Sequence, residues 1–346
     1  MTVLYSGGGT LGSVSPLLAV HEEMKKRADY HGAWIGLDLP KERVFVSGRG
    51  FEEFQITSPR LRNFEAQGIG FTQLTFPFRF VKSFFQSLAI ISKTKPDVHF
   101  SAGSFVSIPV ALACFVMRVP NVVHQQDLLP GLANRVMAKF ANKVTVAFPV
   151  LAPKFGSRAV VTGNPVRLEV LNGDAHAARA RYGFSAGKPV VLVIGGSSGA
   201  IGLNDMIRGV LPEILKLANV VHMTGNEEEK REGYVAVKFL GPEIKDIYAL
   251  ADVVVARASL STPTELGILK KPMILVPIPG SHQEKNSEYF SSVRAALSTS
   301  QDSPTDLVTI VKDLLSDVEK RNELGNQAAK IFPVDAAARI ADELSK

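Results

Sequence analysis

The feature that most constrains this chain is a unit that occurs twice. Residues 2–27, "TVLYSGGGTLGSVSPLLAVHEEMKKR", run from an apolar stretch through a glycine loop into a helical pattern. Residues 189–216, "PVVLVIGGSSGAIGLNDMIRGVLPEILK", repeat the device. An apolar run that stops at glycines and passes into a helix is a core strand entering a crossover. Strands joined by such crossovers are parallel, with helices covering both faces of the sheet. Two starts within 346 residues indicate two α/β domains, because one domain takes roughly 100–200 residues.

Further strands are expected at "GAWIG", "VHFSA", "NVVHQ" and "KVTVAF" in the first half, with helices at "SIPVALACFVMR" and "GLANRVMAKFAN". The second half offers strands at "NVVHMTG", "VAVKFL", "DVVVAR" and "PMILVP". The joint falls in the polar, turn-rich stretch 161–188. The expected division is 1–163 and 164–333, followed by a terminal helix over 334–346 whose small apolar face packs across both domains. Hydrophobic residues make up 46% of the chain, enough for two cores, yet no apolar run reaches the ~18 residues of a membrane span. The N-terminus lacks a basic region and a cleavage site, so no signal peptide is expected. Cys114 is the one cysteine, which excludes an internal disulfide and fits a reducing cytosol. Seven histidines with that cysteine show no metal-ligand spacing, and a net charge of +6 favours anionic partners.

Gly7, Gly9 and Gly12 spell G-x-G-x-x-G, the dinucleotide fingerprint. A nicotinamide site needs an acidic residue ~20 positions later, and the nearest candidate, Asp38, sits late. Glycines before a helix N-terminus admit any phosphate. Their presence in both halves suits an enzyme that holds two substrates, one per domain, and needs no cofactor.

With both loops placed, the chain resembles the MurG family of UDP-N-acetylglucosamine–lipid I N-acetylglucosaminyl transferases. Seven motifs carry the resemblance in order: "GGGTLGSVSP", "SFVSIP", "HQQDLLPGLANR", "VTGNPVR", "GGSSGAIGLN", "RASLSTPTE" and "HQEKN". The departures gather in the first half. Ser13 stands at the usual histidine, Leu11 and Ser104 at glycines, Gln125 at a glutamate and Asp127 at an asparagine; in the second half, Ser259 stands at a glycine.

The resemblance implies a GT-B fold, two Rossmann-like domains facing a central cleft, and an inverting glycosyltransferase. Its donor is UDP-N-acetylglucosamine and its acceptor lipid I, met at the cytoplasmic face of the cell membrane by a peripheral enzyme that binds no nucleic acid. It implies acceptor contacts at Gly9, Thr10, Gly12, Ser104 and Asn134, and donor contacts at Arg167, Gly196, Ser197, Glu265, Gln283 and Asn286. Glu265 would accept hydrogen bonds from both ribose hydroxyls, having two oxygens for two adjacent donors. Read locally, Thr262, Pro263 and Glu265 form a capping box, with threonine as N-cap. Ser197 faces the donor pyrophosphate or serves as an N-cap, and Arg167 neutralises the leaving diphosphate or sits in solvent. Gln283 and Asn286 meet sugar hydroxyls or line an exposed helix face. No D-x-D occurs, so helix N-termini and Arg167, with no metal, would offset the diphosphate charge.

Residues 71–93 mix six phenylalanines with Arg79, Lys82 and Lys93, as in a patch resting on an anionic bilayer. Serine lacks useful basicity, so Ser13 cannot replace the family histidine as base. Asp127, just past the end of a strand, is the candidate to take the proton, with Ser13 orienting and His124 as second candidate. Three alternatives stay open: a related transferase with another sugar or lipid, a UDP-N-acetylglucosamine epimerase, and a non-catalytic UDP-sugar binder.

Overall fold

The structure is a computed structural model that describes residues 1–9, 11–37, 39, 43, 45–57, 76–196 and 200–346. Thr10, Asp38 and Ser197 lie outside the described residues, as do residues 71–75 of the aromatic segment. The chain forms two compact units. The first comprises Met1–Gln126, Pro130–Pro165 and Asp335–Lys346; the second comprises Asp127–Leu129 and Val166–Val334.

The first unit contains, in chain order, β1 (Thr2–Ser6), α1 (Leu11–Met24), β2 (His31–Gly36), β3 (Glu52–Gln55), α2 (Phe76–Thr94), β4 (Val98–Ser101), α3 (Ser107–Val116), β5 (Asn121–Gln125), α4 (Leu132–Met137), β6 (Lys143–Val146) and β7 (Ala159–Val161). Its seven strands run in the order β3-β2-β1-β4-β5-β6-β7, and every pairing is parallel. Side chains alternate across the sheet as strand geometry requires. Val3 and Tyr5 join α1 in one apolar layer, whereas Leu4, Ala33 and Ile35 meet Ile91 of α2 and Val110 of α3 in the other. Strand β3, "EEFQ", is polar and was not foreseen in the sequence; pairing with β2 at the sheet edge creates it.

The second unit contains α5 (Ala175–Tyr182), β8 (Val190–Ile194), α6 (Ile201–Leu217), β9 (Asn219–Met223), β10 (Glu229–Arg231), β11 (Tyr234–Val237), α7 (Ile244–Leu250), β12 (Val253–Ala256), α8 (Ser261–Ile268), β13 (Met273–Leu275), α9 (His282–Ser292), β14 (Leu297–Ser298), α10 (Pro304–Ser316) and α11 (Val318–Ile331). The strand order is β10-β11-β9-β8-β12-β13-β14. Only β10 is antiparallel among the described strands, and it closes one edge with the charged residues Glu229, Lys230 and Arg231.

Each sheet reverses its winding beside its first strand, between β1 and β4 and between β8 and β12. Open α/β sheets bind ligands at that point, outside the carboxyl ends of the strands. The glycine loops after β1 and β8 both open there. The last helix, α12 (Ala336–Leu344), returns to the first unit and packs on α1; Ala337, Ile340, Ala341 and Leu344 complete the layer that holds Trp34.

Helix α2 inverts the usual pattern. Its buried stripe is Ser83, Ser87 and Ile91, with the serine hydroxyls turned back onto the carbonyls of Arg79 and Ser83. Small residues there let α2 lie close to α3, so the phenylalanines are displaced outward. Phe78 is 79% and Phe85 61% exposed, with Val81 and Lys82 beside them. Phe84 packs against the core and is not part of this exposed stripe.

Candidate functional site

In the second unit, Glu265 sits in the first turns of α8. The helix begins at Ser261 with Leu260 as its N-cap and no side-chain cap bond, so the expected capping box does not form. The reason is a stronger set of partners. Tyr248 of α7 donates its phenol to Glu265 Oε2 at 2.7 Å, and Arg167 Nη2 faces Oε1 at 3.3 Å. The Glu265 and Arg167 side chains are 6% and 14% exposed, and Tyr248 is fully buried. Arg167 also reaches Glu169 at 3.0 Å. Burial works against its charge, but Glu265 and Glu169 outweigh burial and hold its pKa above the ordinary value. Arg167 Nε, itself buried, has no hydrogen-bond partner among the described residues. A buried, charge-paired arginine with a donor to spare is suited to receive an anion.

Gly196 adopts φ +94°, a backbone state that favours glycine, at the turn from β8 toward α6. The 17-residue α6 presents its N-terminus just beyond. Gln283 is buried, and its Oε1 accepts from the Ile278 N–H at 3.3 Å.

Asn286 does something the sequence did not reveal. Its Nδ2 donates to Asp127 Oδ1 and to the Ala258 carbonyl, each at 2.9 Å, and its Oδ1 accepts from the Leu128 N–H at 3.1 Å. One amide hydrogen and the amide oxygen thus hold the Asp127–Leu129 segment while the other hydrogen is spent on Ala258, which limits the use of Asn286 as a sugar contact. His282, absent from the expected site, places Nε2 3.8 Å from Asp127 Oδ1. Burial raises the Asp127 pKa above the usual carboxylate value, while the His282 charge and the Asn286 bond pull the other way. Only long-range contact could expose this cluster, because Asp127 and Asn286 are 159 residues apart.

In the first unit the candidate groups are neutral. Ser13 is buried and its hydroxyl donates to the Gly8 carbonyl at 3.3 Å. Gly9 is exposed at φ +83°, and the Gly12 carbonyl accepts from Gln126 Nε2 at 3.0 Å. Asn134 donates to the His124 carbonyl and to Gln125 Oε1, at 3.0 and 2.7 Å, while its own Oδ1 is buried without a partner among the described residues. A Cβ on Gly103 would approach that oxygen to 3.3 Å, so glycine keeps the space open. Ser104 follows at φ +92°, where the family's glycine would be unstrained. His124 is fully buried, with Nδ1 on Thr145 and Nε2 on Asn164, each at 3.0 Å. Burial pushes its pKa down to about 4, and both ring nitrogens are occupied, which leaves none for a substrate proton.

Residues 3–146 match the glycosyltransferase family 28 N-terminal domain, and residues 190–341 match its C-terminal domain. A Clostridium kluyveri protein named UDP-N-acetylglucosamine–N-acetylmuramyl-(pentapeptide) pyrophosphoryl-undecaprenol N-acetylglucosamine transferase is 38% identical over 282 residues, covering 80% of this chain and 78% of that protein. The protein of the same name from Clostridium botulinum is 34% identical over 354 aligned positions, covering 99% of this chain and 98% of that protein. Among solved structures, Acinetobacter baumannii MurG is similar at TM-score 0.75 and 23% identity, with 99% of both chains covered. A Neisseria meningitidis UDP-GlcNAc 2-epimerase reaches TM-score 0.74 at 12% identity over the whole of both chains. These structural likenesses establish the GT-B fold. From the two domain matches and the full-length relatives, the chain belongs to glycosyltransferase family 28, in its MurG branch.

Proposed function

We propose that the chain transfers N-acetylglucosamine from UDP-N-acetylglucosamine to the 4-hydroxyl of the muramyl sugar of lipid I, giving lipid II for peptidoglycan synthesis. The observation that carries this reading is the 34% identity to a transferase of that printed activity over 99% of the chain. In the reaction the acceptor oxygen bonds to the anomeric carbon as the bond from that carbon to the diphosphate oxygen breaks. UDP leaves with the electron pair, and the hydroxyl proton passes to a base. The configuration inverts because attack comes from the face opposite UDP.

Each role has a residue suited to it. Glu265 accepts from the ribose hydroxyls. Arg167, with its unpaired Nε, and the loop at Gly195–Gly196 before α6 offset the charge building on the diphosphate. Asp127 takes the proton: burial raises its pKa toward the working range, and Asn286 holds it in place. The unpaired Asn134 Oδ1 in the first unit accepts from an acceptor hydroxyl.

The enzyme works as a peripheral protein at the cytoplasmic membrane face. Phe78, Val81 and Phe85, exposed on α2 beside Lys82, support contact with an anionic lipid surface. Among the described residues, no helix is long and apolar enough to cross a membrane.

The test is incubation with labelled UDP-N-acetylglucosamine, with and without a soluble lipid I analogue. Label in a disaccharide product only when the analogue is present is the expected result. Conversion of the donor without acceptor would replace transfer with epimerisation, and tight donor binding without turnover on any acceptor would reduce the protein to a binder.

A further inference from the structure

The carboxylate of Glu265 has about four lone-pair positions, two per oxygen. Tyr248 takes one on Oε2 and Arg167 one on Oε1. One position on each oxygen remains. A ribose presents its 2′- and 3′-hydroxyls side by side, two donors for those two positions. Tyr248 itself is fully buried, so its hydroxyl serves Glu265 and not a ligand. The phenol at 2.7 Å therefore fixes the position of Oε2 from α7. Without that bond the carboxylate would pivot toward Arg167, its one remaining strong partner, in a two-point contact that occupies both oxygens.

We propose that Tyr248 is a positioning residue that makes the donor site selective for ribo- over 2′-deoxyribonucleoside diphosphate sugars, by holding Glu265 with one free acceptor position on each oxygen. The inference rests on the reading above in which Glu265 meets the ribose.

The experiment measures kcat and KM of the full chain for UDP-N-acetylglucosamine and for its 2′-deoxyuridine analogue, with a soluble lipid I analogue as acceptor. In Tyr248→Phe the KM for the ribo donor rises about tenfold, the loss of one hydrogen bond's worth of alignment at a charged group. The KM for the deoxy donor moves little, so the preference narrows while kcat changes little. If Tyr248→Phe raises both KM values equally, the residue is merely structural and the proposal fails. Glu265→Gln separates the two levels. If that variant keeps the full ribo preference, the ribose assignment itself is wrong. If it loses the preference while Tyr248→Phe keeps it, only the positioning role falls. Should Tyr248→Phe not fold, Tyr248→Met carries the test: it removes the same phenol donor and narrows the preference likewise, and an unchanged preference overturns the proposal.

Discussion

The two units share a winding order but build their sites from opposite materials. In the second unit the site is charged and paired: Arg167, Glu169 and Glu265 are joined by salt bridges, with Tyr248 behind them. In the first unit Ser13, Ser104, Gln125, Gln126 and Asn134 are all neutral, and an apolar stripe on α2 faces outward. The difference follows the ligand each is proposed to take. A nucleoside diphosphate needs fixed charges, whereas a lipid-linked sugar needs hydroxyl partners and a way to rest on lipid. The units also differ in what their stability depends on. The first relies on the last residues of the chain and on more buried neutral histidines.

The largest effect separating them should come from removing residues 335–346. That truncation strips Ala337, Ile340, Ala341 and Leu344 from the layer around Trp34. Large-to-small changes at single buried Leu or Ile sites cost about 2–5 kcal/mol, so loss of the whole helix should unfold the first unit. Trp34 is the one tryptophan and is buried in that layer, so its fluorescence reports the first unit directly. A truncated chain with native Trp34 emission and unchanged melting would remove this asymmetry.

Acid should act next. His99 and His124 in the first unit and His222 in the second are held down to about 4 by burial. An unfolded histidine titrates near 6.5. Each therefore contributes stability that is fully present above about pH 6.5. This stability is lost as pH falls toward 4, because the unfolded chain takes up protons that the native chain refuses. Three such groups give a slope of about 4 kcal/mol per pH unit, two-thirds of it from the first unit. His21, also in the first unit, is lowered by burial as well and steepens its share. On acid titration the Trp34 signal should fall before far-UV ellipticity does. Coincident transitions would show that the units do not differ in this way.

Asp127→Asn tests whether the Asp127–Leu129 segment of the second unit supplies the proton acceptor. It should lower kcat ~10²-fold or more with donor affinity unchanged. Near wild-type kcat would end the assignment and direct attention to His282, 3.8 Å away. A smaller effect is expected at the membrane. Replacing Phe78 and Phe85 with serine, together with Lys82→Glu, leaves the core untouched and should release the protein from anionic vesicles in a sedimentation assay. Continued sedimentation of the folded variant would discard α2 as the lipid contact. The smallest effect concerns Ser104. Glycine there relieves a positive φ and should add about 1 kcal/mol, read as a rise in melting temperature. A lower melting temperature would mean that the Ser104 hydroxyl, which accepts from the Val106 N–H at 3.4 Å, matters more than the strain.

Much of the fold was legible because it is written locally. Apolar runs such as "VVLVI" and "VVVA", each leading through a short loop into a helical period, specify parallel strands without knowledge of their partners. The order of the motifs was likewise a property of the chain. The helix start at Ser261 was not legible, since the local pattern "STPTE" favoured a cap at Thr262, whereas the Glu265 carboxylate found Tyr248 and Arg167 instead.

What the sequence by itself determined is therefore the pair of strand–loop–helix beginnings, the parallel sheets and the residue types available at the carboxyl ends of their strands. Those depend on interactions a few residues long. Only the tertiary structure decided that Glu265 faces Arg167 across 98 residues, that Asn286 holds Asp127, that α2 hides its serines and shows its phenylalanines, and that the final helix belongs to the first core. Each of these is a contact between distant segments. Its free energy comes from burial and pairing that neither segment possesses alone.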